Sequence, residues 1–148
     1  SGSVFKYTFP RTSKEITDRH QWNLENANGW GGSSPEVNIA NLYTNSVLLD
    51  GSKSYSTTFE DPESRFFTSF TAYDKDRYLM EGVNNINSYT GKKNSDGTIT
   101  INFNGGDDTI NNIDTKGEDF SFTVRYYGVS QKVMDGKITP ETTVQEVK

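Results

Sequence analysis

The 148-residue sequence predicts a mainly β protein, an antiparallel β-sandwich with one N-terminal α-helix. Three runs carry that expectation: Phe66 and Phe67 through Phe70 to Tyr73, Thr98-Ile99-Thr100-Ile101-Asn102-Phe103, and Phe120-Ser121-Phe122-Thr123-Val124-Arg125-Tyr126-Tyr127. In these, rings and branched side chains recur at the spacing of a pleated strand, and turn residues bound each run. From Phe59 onward no segment of any length has helical spacing.

The elements follow in chain order. Val4 to Phe9 puts Phe5, Tyr7 and Phe9 on one face and stops at Pro10, which reads as a short strand. Thr12-x-x-Glu15 has the pattern of a capping box. Ile16, His20, Leu24 and Ala27 then recur at helical spacing up to Asn28-Gly29, so a helix is expected from Ser13 to Asn26. Gly29 to Pro35 reads as a flexible loop around Trp30, and Ser34-Pro35 could open a short helical turn. Ile39 to Leu49 should contain a strand. Asp50-Gly51 turns the chain into a strand from Tyr55 to Phe59.

Asp61-Pro62-Glu63-Ser64 is a turn, and Arg65 to Tyr73 a strand rich in residues that suit a pleated surface. Asp74-Lys75-Asp76 should turn the chain into a short strand from Tyr78 to Glu81. Asn94-Ser95-Asp96-Gly97 precedes the strand Thr98 to Phe103, and Asn104-Gly105-Gly106-Asp107-Asp108 is an acidic loop. Asp119 to Tyr127 is the strongest strand, Asp135-Gly136 another turn, and Thr142 to Val147 a closing strand.

Composition narrows the function. The length suits one domain across residues 1–148, with 4–28 as strand plus helix and 29–148 as the core. Only 31% of residues are hydrophobic, but 13% are aromatic, so a few large rings can build a thin core under a polar skin. Net charge is −5 and the densest basic pair is Lys92-Lys93, so the stripe that a nucleic acid or anionic bilayer requires is missing. The sequence has no cysteine, which excludes disulfides, thiolate catalysis and thiolate metal sites. No apolar run approaches the ~20 residues of a membrane-spanning helix. No signal peptide is recognisable, and Ser1-Gly2-Ser3 resembles a remnant of cloning.

Several segments, taken in order, resemble the domain of unknown function 1214 (DUF1214). They are Gly29-Trp30-Gly31-Gly32 with Pro35 and Tyr43, then Asp50-Gly51 and Tyr55, then Phe66 to Tyr73 in place of an aromatic strand. Asn84 to Tyr89, Lys92 to Ile101, Phe103 to Asp107, Val124 to Tyr127, Asp135-Gly136 and Pro140 complete the run. The resemblance covers roughly Trp30 to Val147 and implies a sandwich of jelly-roll type. The family is usually the C-terminal portion of larger bacterial proteins that carry a companion DUF1254 domain, so this chain is expected to be a stand-alone version or a fragment. Exported or envelope association, in a bacterial or virus-encoded setting, is implied on the same ground. The sequence departs from the family's pattern at Phe66-Phe67-Thr68, where a Trp is usual, at Asn111 to Asp114, and at Lys137 to Pro140.

Candidate chemistry is sparse, and no catalytic residue can be assigned. His20 is the sole histidine, so any serine triad would need it, and no nucleophile-elbow motif accompanies it. Its alignment with Ile16 and Leu24 reads as a half-buried packing position. Carboxylates pair up in turns: Asp61 with Glu63, Asp74 with Asp76, Asp107 with Asp108. Such pairs could run glycoside hydrolysis across a cleft, and Asp107 and Asp108 are the best candidates for a calcium site. Trp30, with Tyr43, Tyr73 and Tyr89, offers flat rings on which a sugar can stack. Tyr78 could extend that set. Arg125, mid-strand, faces solvent or a carboxylate partner.

These observations favour a non-enzymatic binding or assembly module. Its expected ligand is a carbohydrate or small molecule, taken through Trp30, Tyr43, Tyr73, Tyr89 and Arg125, with a homo-oligomer as the assembly form and no cofactor required. The alternative is a glycan- or ester-directed hydrolase using loop carboxylates, supported by Arg125 or His20.

Overall fold

The structure is a computed structural model that describes Tyr7, Pro10 and residues 12–27, 31–34, 39–138 and 142–148. The strand expected over Val4–Phe9, Trp30, the turn expected at Ser34-Pro35 and the Thr139-Pro140 segment lie wholly or largely outside these residues.

Strands β1 (Gly31–Ser34), β2 (Ile39–Asn45), β4 (Phe67–Asp74), β5 (Asn85–Asn87) and β8 (Phe120–Tyr127) form one sheet in the order β1-β2-β8-β4-β5. The second sheet has the order β7-β6-β3-β9, from β3 (Ser54–Phe59), β6 (Ile99–Phe103), β7 (Asn112–Ile113) and β9 (Gln145–Val147). The sheets do not close into a barrel, and the chain keeps crossing between them, as in a jelly roll. Every pairing is antiparallel except the short parallel contact of β6 with β7.

Alternation explains why these residues make a sandwich. Along β8, Phe120, Phe122, Val124 and Tyr126 are fully buried, while Ser121, Arg125 and Tyr127 are only partly so. Across the interior they meet Ile99, Ile101 and Phe103 of β6 and Tyr55 and Phe59 of β3. Ring pairs tie the layers: Phe103 lies 4.9 Å from Phe120 and 5.1 Å from Phe122, and Phe59 lies 4.6 Å from Phe70. Offset rings at such distances add ~1 kcal/mol each beyond area burial.

Turn chemistry is carried by side chains that fold back on their own backbone. Asp50 Oδ1 accepts from the Ser52 N–H at 2.9 Å, Asp61 from Glu63, Asp74 from Asp76 and Tyr78, and Asp96 from Thr98. The Asp96-Gly97 turn needs glycine, since Gly97 sits at φ +84°.

Several expectations are corrected. The helix does not begin at Ser13: Ser13–Glu15 is a 3-10 turn, Ile16 leaves helical conformation at ψ 85°, and the Thr12 side chain makes no capping bond. Helix α1 is Arg19–Ala27, and its start is closed by Asp18, whose Oδ1 accepts the Gln21 N–H at 3.0 Å. His20 is therefore exposed, not half-buried, because Ile16 is not on its helix. Gly31–Ser34 is not a flexible loop but strand β1, paired along its length with β2. Tyr78 to Glu81 makes only an isolated bridge, from Leu79 to Tyr73, because Asp74 holds the turn tight and Met80 dips into the core. Strands β5 and β7 and the short helix α2 (Gln131–Met134) were not expected from the sequence.

Candidate functional site

The outward face of the five-stranded sheet gathers most of the aromatic and cationic candidates. Two-residue periodicity puts Tyr43 of β2, Arg125 and Tyr127 of β8, and Phe67 and Tyr73 of β4 on the side away from the core. Register places Tyr43 directly opposite Arg125, and Asn41, Tyr127 and Phe67 in the next row but one.

Arg125 is the centre of this strip. Its Nη2 donates to the Tyr73 hydroxyl at 2.8 Å. Its guanidinium lies 5.9 Å from the Tyr43 ring centre and 5.7 Å from that of Tyr73, within cation–π range of both. The strip continues as Tyr43 meets Tyr127 edge-on at 5.4 Å, Tyr127 stacks on Phe67 at 4.4 Å, and Phe67 lies 6.4 Å from Tyr89. The Asn87–Thr90 turn presents Tyr89: Asn87 Oδ1 accepts the N–H groups of Tyr89 and Thr90, and the Tyr89 hydroxyl donates to the Phe66 carbonyl at 3.1 Å. Burial pushes the Tyr43 hydroxyl above its ordinary value, Tyr127 adds to the rise, and Arg125 opposes it only in part. Tyr43 therefore remains a neutral donor at physiological pH.

Beside the rings runs a ladder of small polar groups. Asn85 Nδ2 donates to Ser69 Oγ at 2.9 Å and to Thr71 Oγ1 at 2.8 Å, Asn87 Nδ2 donates to Asn85 Oδ1, and Thr123 donates to Asn45 Oδ1. Ser69, Thr71 and Thr123 are buried, so the face presents flat apolar surface, tyrosine hydroxyls, half-buried asparagine amides and one cation.

Of the sequence candidates, Tyr43, Tyr73, Tyr89 and Arg125 belong to this strip, while Trp30 lies outside the described residues. Among the described residues Arg125 has no carboxylate partner; the Tyr73 hydroxyl is its hydrogen-bond partner. Tyr127 and Phe67 are additions. Tyr127 follows Arg125 by two positions and Phe67 precedes Tyr73 by six, so the strand period alone identifies both. Tyr78 does not join: it lies in the turn after β4 and makes no ring contact with the other described residues of the strip.

The carboxylates are dispersed. Asp61, Asp74, Asp96 and Asp114 each serve their own turn. Asp107 and Asp108 are exposed in a loop whose geometry is set by Asn112 and Thr109. Among the described residues no group of three or more His, Cys, Asp or Glu side chains could hold a metal ion. A small apolar hollow opens between Thr68, Phe70, Ile86 and Ile99, with room for little beyond a water molecule. No described helix is long and apolar enough to cross a membrane.

No functionally curated protein matches the chain. Among solved structures, the VPA0106 protein of Vibrio parahaemolyticus has the same fold, with a TM-score of 0.72 at 24% identity over 97% of this chain and 39% of that one. An uncharacterised protein from Burkholderia cenocepacia follows at TM-score 0.55 and 16% identity, over 78% of this chain and 30% of its own. The chain thus spans well under half the length of either. The family model described as a protein of unknown function, DUF1214, matches residues 39–131, most of the sandwich just described, and the chain belongs to that family.

Proposed function

We propose that this chain is a non-enzymatic binding module that takes a carbohydrate on the outward face of its five-stranded sheet. One observation carries the reading: the unbroken run from Tyr73 through Arg125, Tyr43, Tyr127 and Phe67 to Tyr89. Sugar rings present an apolar face and a rim of hydroxyls, and they are bound by aromatic planes flanked by amides and hydroxyls. The strip supplies the planes and tyrosine hydroxyls, and the half-buried Asn41, Asn45, Asn85 and Asn87 beside it supply amides. A hydrolytic role draws no comparable support, because the candidate carboxylate pairs lie on separate turns and Asp61 and Asp74 are bonded to their own backbone.

A glycan array followed by titration of the best hits tests this. Retention of one or more oligosaccharides is expected, and Tyr43→Ala or Tyr127→Ala should weaken it by about ten-fold, with circular dichroism unchanged. No retention on any glycan, or variants that bind like the parent, would sink the proposal. The assembly reading draws on Tyr78, Leu79 and Val83, exposed at 73%, 59% and 61% within one short segment. Light scattering separates the two: self-association abolished by Leu79→Ser with Val83→Ser would favour assembly.

A further inference from the structure

We infer that the ligand is an acidic sugar, one whose carboxylate sits on Arg125. The inference rests on reading the strip as a carbohydrate site and adds the charge of the ligand. Among the outward-facing positions of β2, β8, β4 and β5, the side chains are Asn41, Tyr43 and Asn45, then Ser121, Thr123 and Tyr127, then Phe67, Ser69, Thr71 and Tyr73, then Asn85 and Asn87. Arg125 is the single charged group in that set.

Arg125 is set apart by its burial: every other described lysine and arginine is exposed. Four exposed lysines find carboxylates: Lys53 with Glu146, Lys93 with Asp61, Lys116 with Asp114 and Lys132 with Glu63. Arg125, half-buried between two rings, has none among the described residues. A guanidinium has five N–H donors in a planar fork, and the Tyr73 hydroxyl takes the bond from Nη2 alone. The fork matches a carboxylate in bidentate geometry, and flanking rings lower water's competition for it. Tyr43 and Tyr73 hold the guanidinium in place, so little freedom is lost when an anion docks. A hexuronate or similar acid provides both parts at once: a sugar face for the rings of Tyr43 and Tyr127, and a carboxylate for the fork.

Titrations of the full chain with oligogalacturonate, with its methyl ester, and with poly-glutamate test the inference. The ester keeps the sugar and removes the charge. The acid should bind about ten-fold or more tightly than the ester. Arg125→Gln should erase that preference while leaving residual binding to both, Arg125→Lys should retain part of it, and Tyr43→Ala should weaken both. Equal affinity for acid and ester, or a preference surviving in Arg125→Gln, would overturn the acidic assignment and leave the carbohydrate reading standing. Binding to poly-glutamate but to neither sugar would overturn both and name an acidic peptide as the occupant. No binding to either sugar, with none on a wider array of uronates, sialates and neutral glycans, would also overturn both.

Discussion

Asn104 does more for this molecule than any residue of the acidic loop it introduces. Its side-chain nitrogen donates to the carbonyls of Gly51 at 3.0 Å and Lys53 at 2.8 Å, and its Oδ1 accepts from the backbone N–H and hydroxyl of Thr115. It does so from a left-handed backbone at φ 57°, which Asn tolerates better than most residues. Thr115 is fully buried, so loss of Asn104 leaves polar groups stranded where water does not reach. Asn104→Ala should therefore lower unfolding free energy by ~2–3 kcal/mol, read from urea denaturation at constant slope. Asp107→Asn, two exposed positions into the loop, should change it by less than ~0.5 kcal/mol. Equal effects would mean that Asn104 is no hub. The contrast also shows what was legible at this scale. Arg125, Tyr43, Tyr73 and Tyr89 stood out by residue type, because rings and a lone strand arginine are few. Asn104 did not, because an amide in a Gly-rich turn looks the same whether it holds the turn together or merely ends it. Tyr127 and Phe67 could have been found by counting in twos from Arg125 and Tyr73.

Strands differ sharply in what anchors them. β4 and β8 pair over the whole of Phe67–Asp74, with the fully buried Phe122, Val124 and Tyr126 beneath. β9 pairs with β3 over three residues, all exposed. Local opening tracks buried contacts, so amide exchange should be slowest at Phe122 to Tyr126 and fastest among strands at Gln145 to Val147. Protection at β9 equal to that at β8 would show that the closing strand folds with the core as one unit. The same difference explains which elements the sequence announced. β3, β6 and, but for Thr123, β8 bury alternate side chains, β4 buries Thr68 to Ala72 without a break, and all four announce themselves by their rings and branched residues. β1, Gly31–Ser34, has no apolar residue, and β5 and β7 have one isoleucine each. Their strand conformation is imposed by the neighbour they pair with, so local sequence contains little trace of it. The helix start was misplaced for a related reason: Thr12 and Asp18 both have capping chemistry, and only the backbone at Ile16 decides between them.

At the scale of the whole molecule, shifted groups at the surface set a window of pH stability. Asp50 and Asp96 lie below the ordinary carboxylate value of 3.8, held by hydroxyl and N–H bonds from Ser52 and Thr98, and Asp114 likewise through Lys116. Burial raises Asp61, but bonds from Lys93 and the Glu63 N–H and the Lys93 charge outweigh it, so its net shift is also downward. Each of these groups binds fewer protons folded than unfolded below pH 4, so its contribution is complete above about 4 and is lost as pH falls further. Lys53 and Lys93 are raised above 10.5 by Glu146 and Asp61, and Tyr43 above 10.0 by burial. Those contributions are present below the unfolded values and vanish as pH climbs past them. The urea midpoint should therefore be flat from about pH 5 to about pH 9 and fall on both sides. Asp61→Asn isolates one member of the set. Its midpoint should lie below that of the parent at pH 7, and the gap should narrow as pH falls below about 4 and the parent's Asp61 takes up a proton. A gap as wide at pH 2 as at pH 7 would mean that Asp61 acts through packing or neutral hydrogen bonds, not through its charge on Lys93.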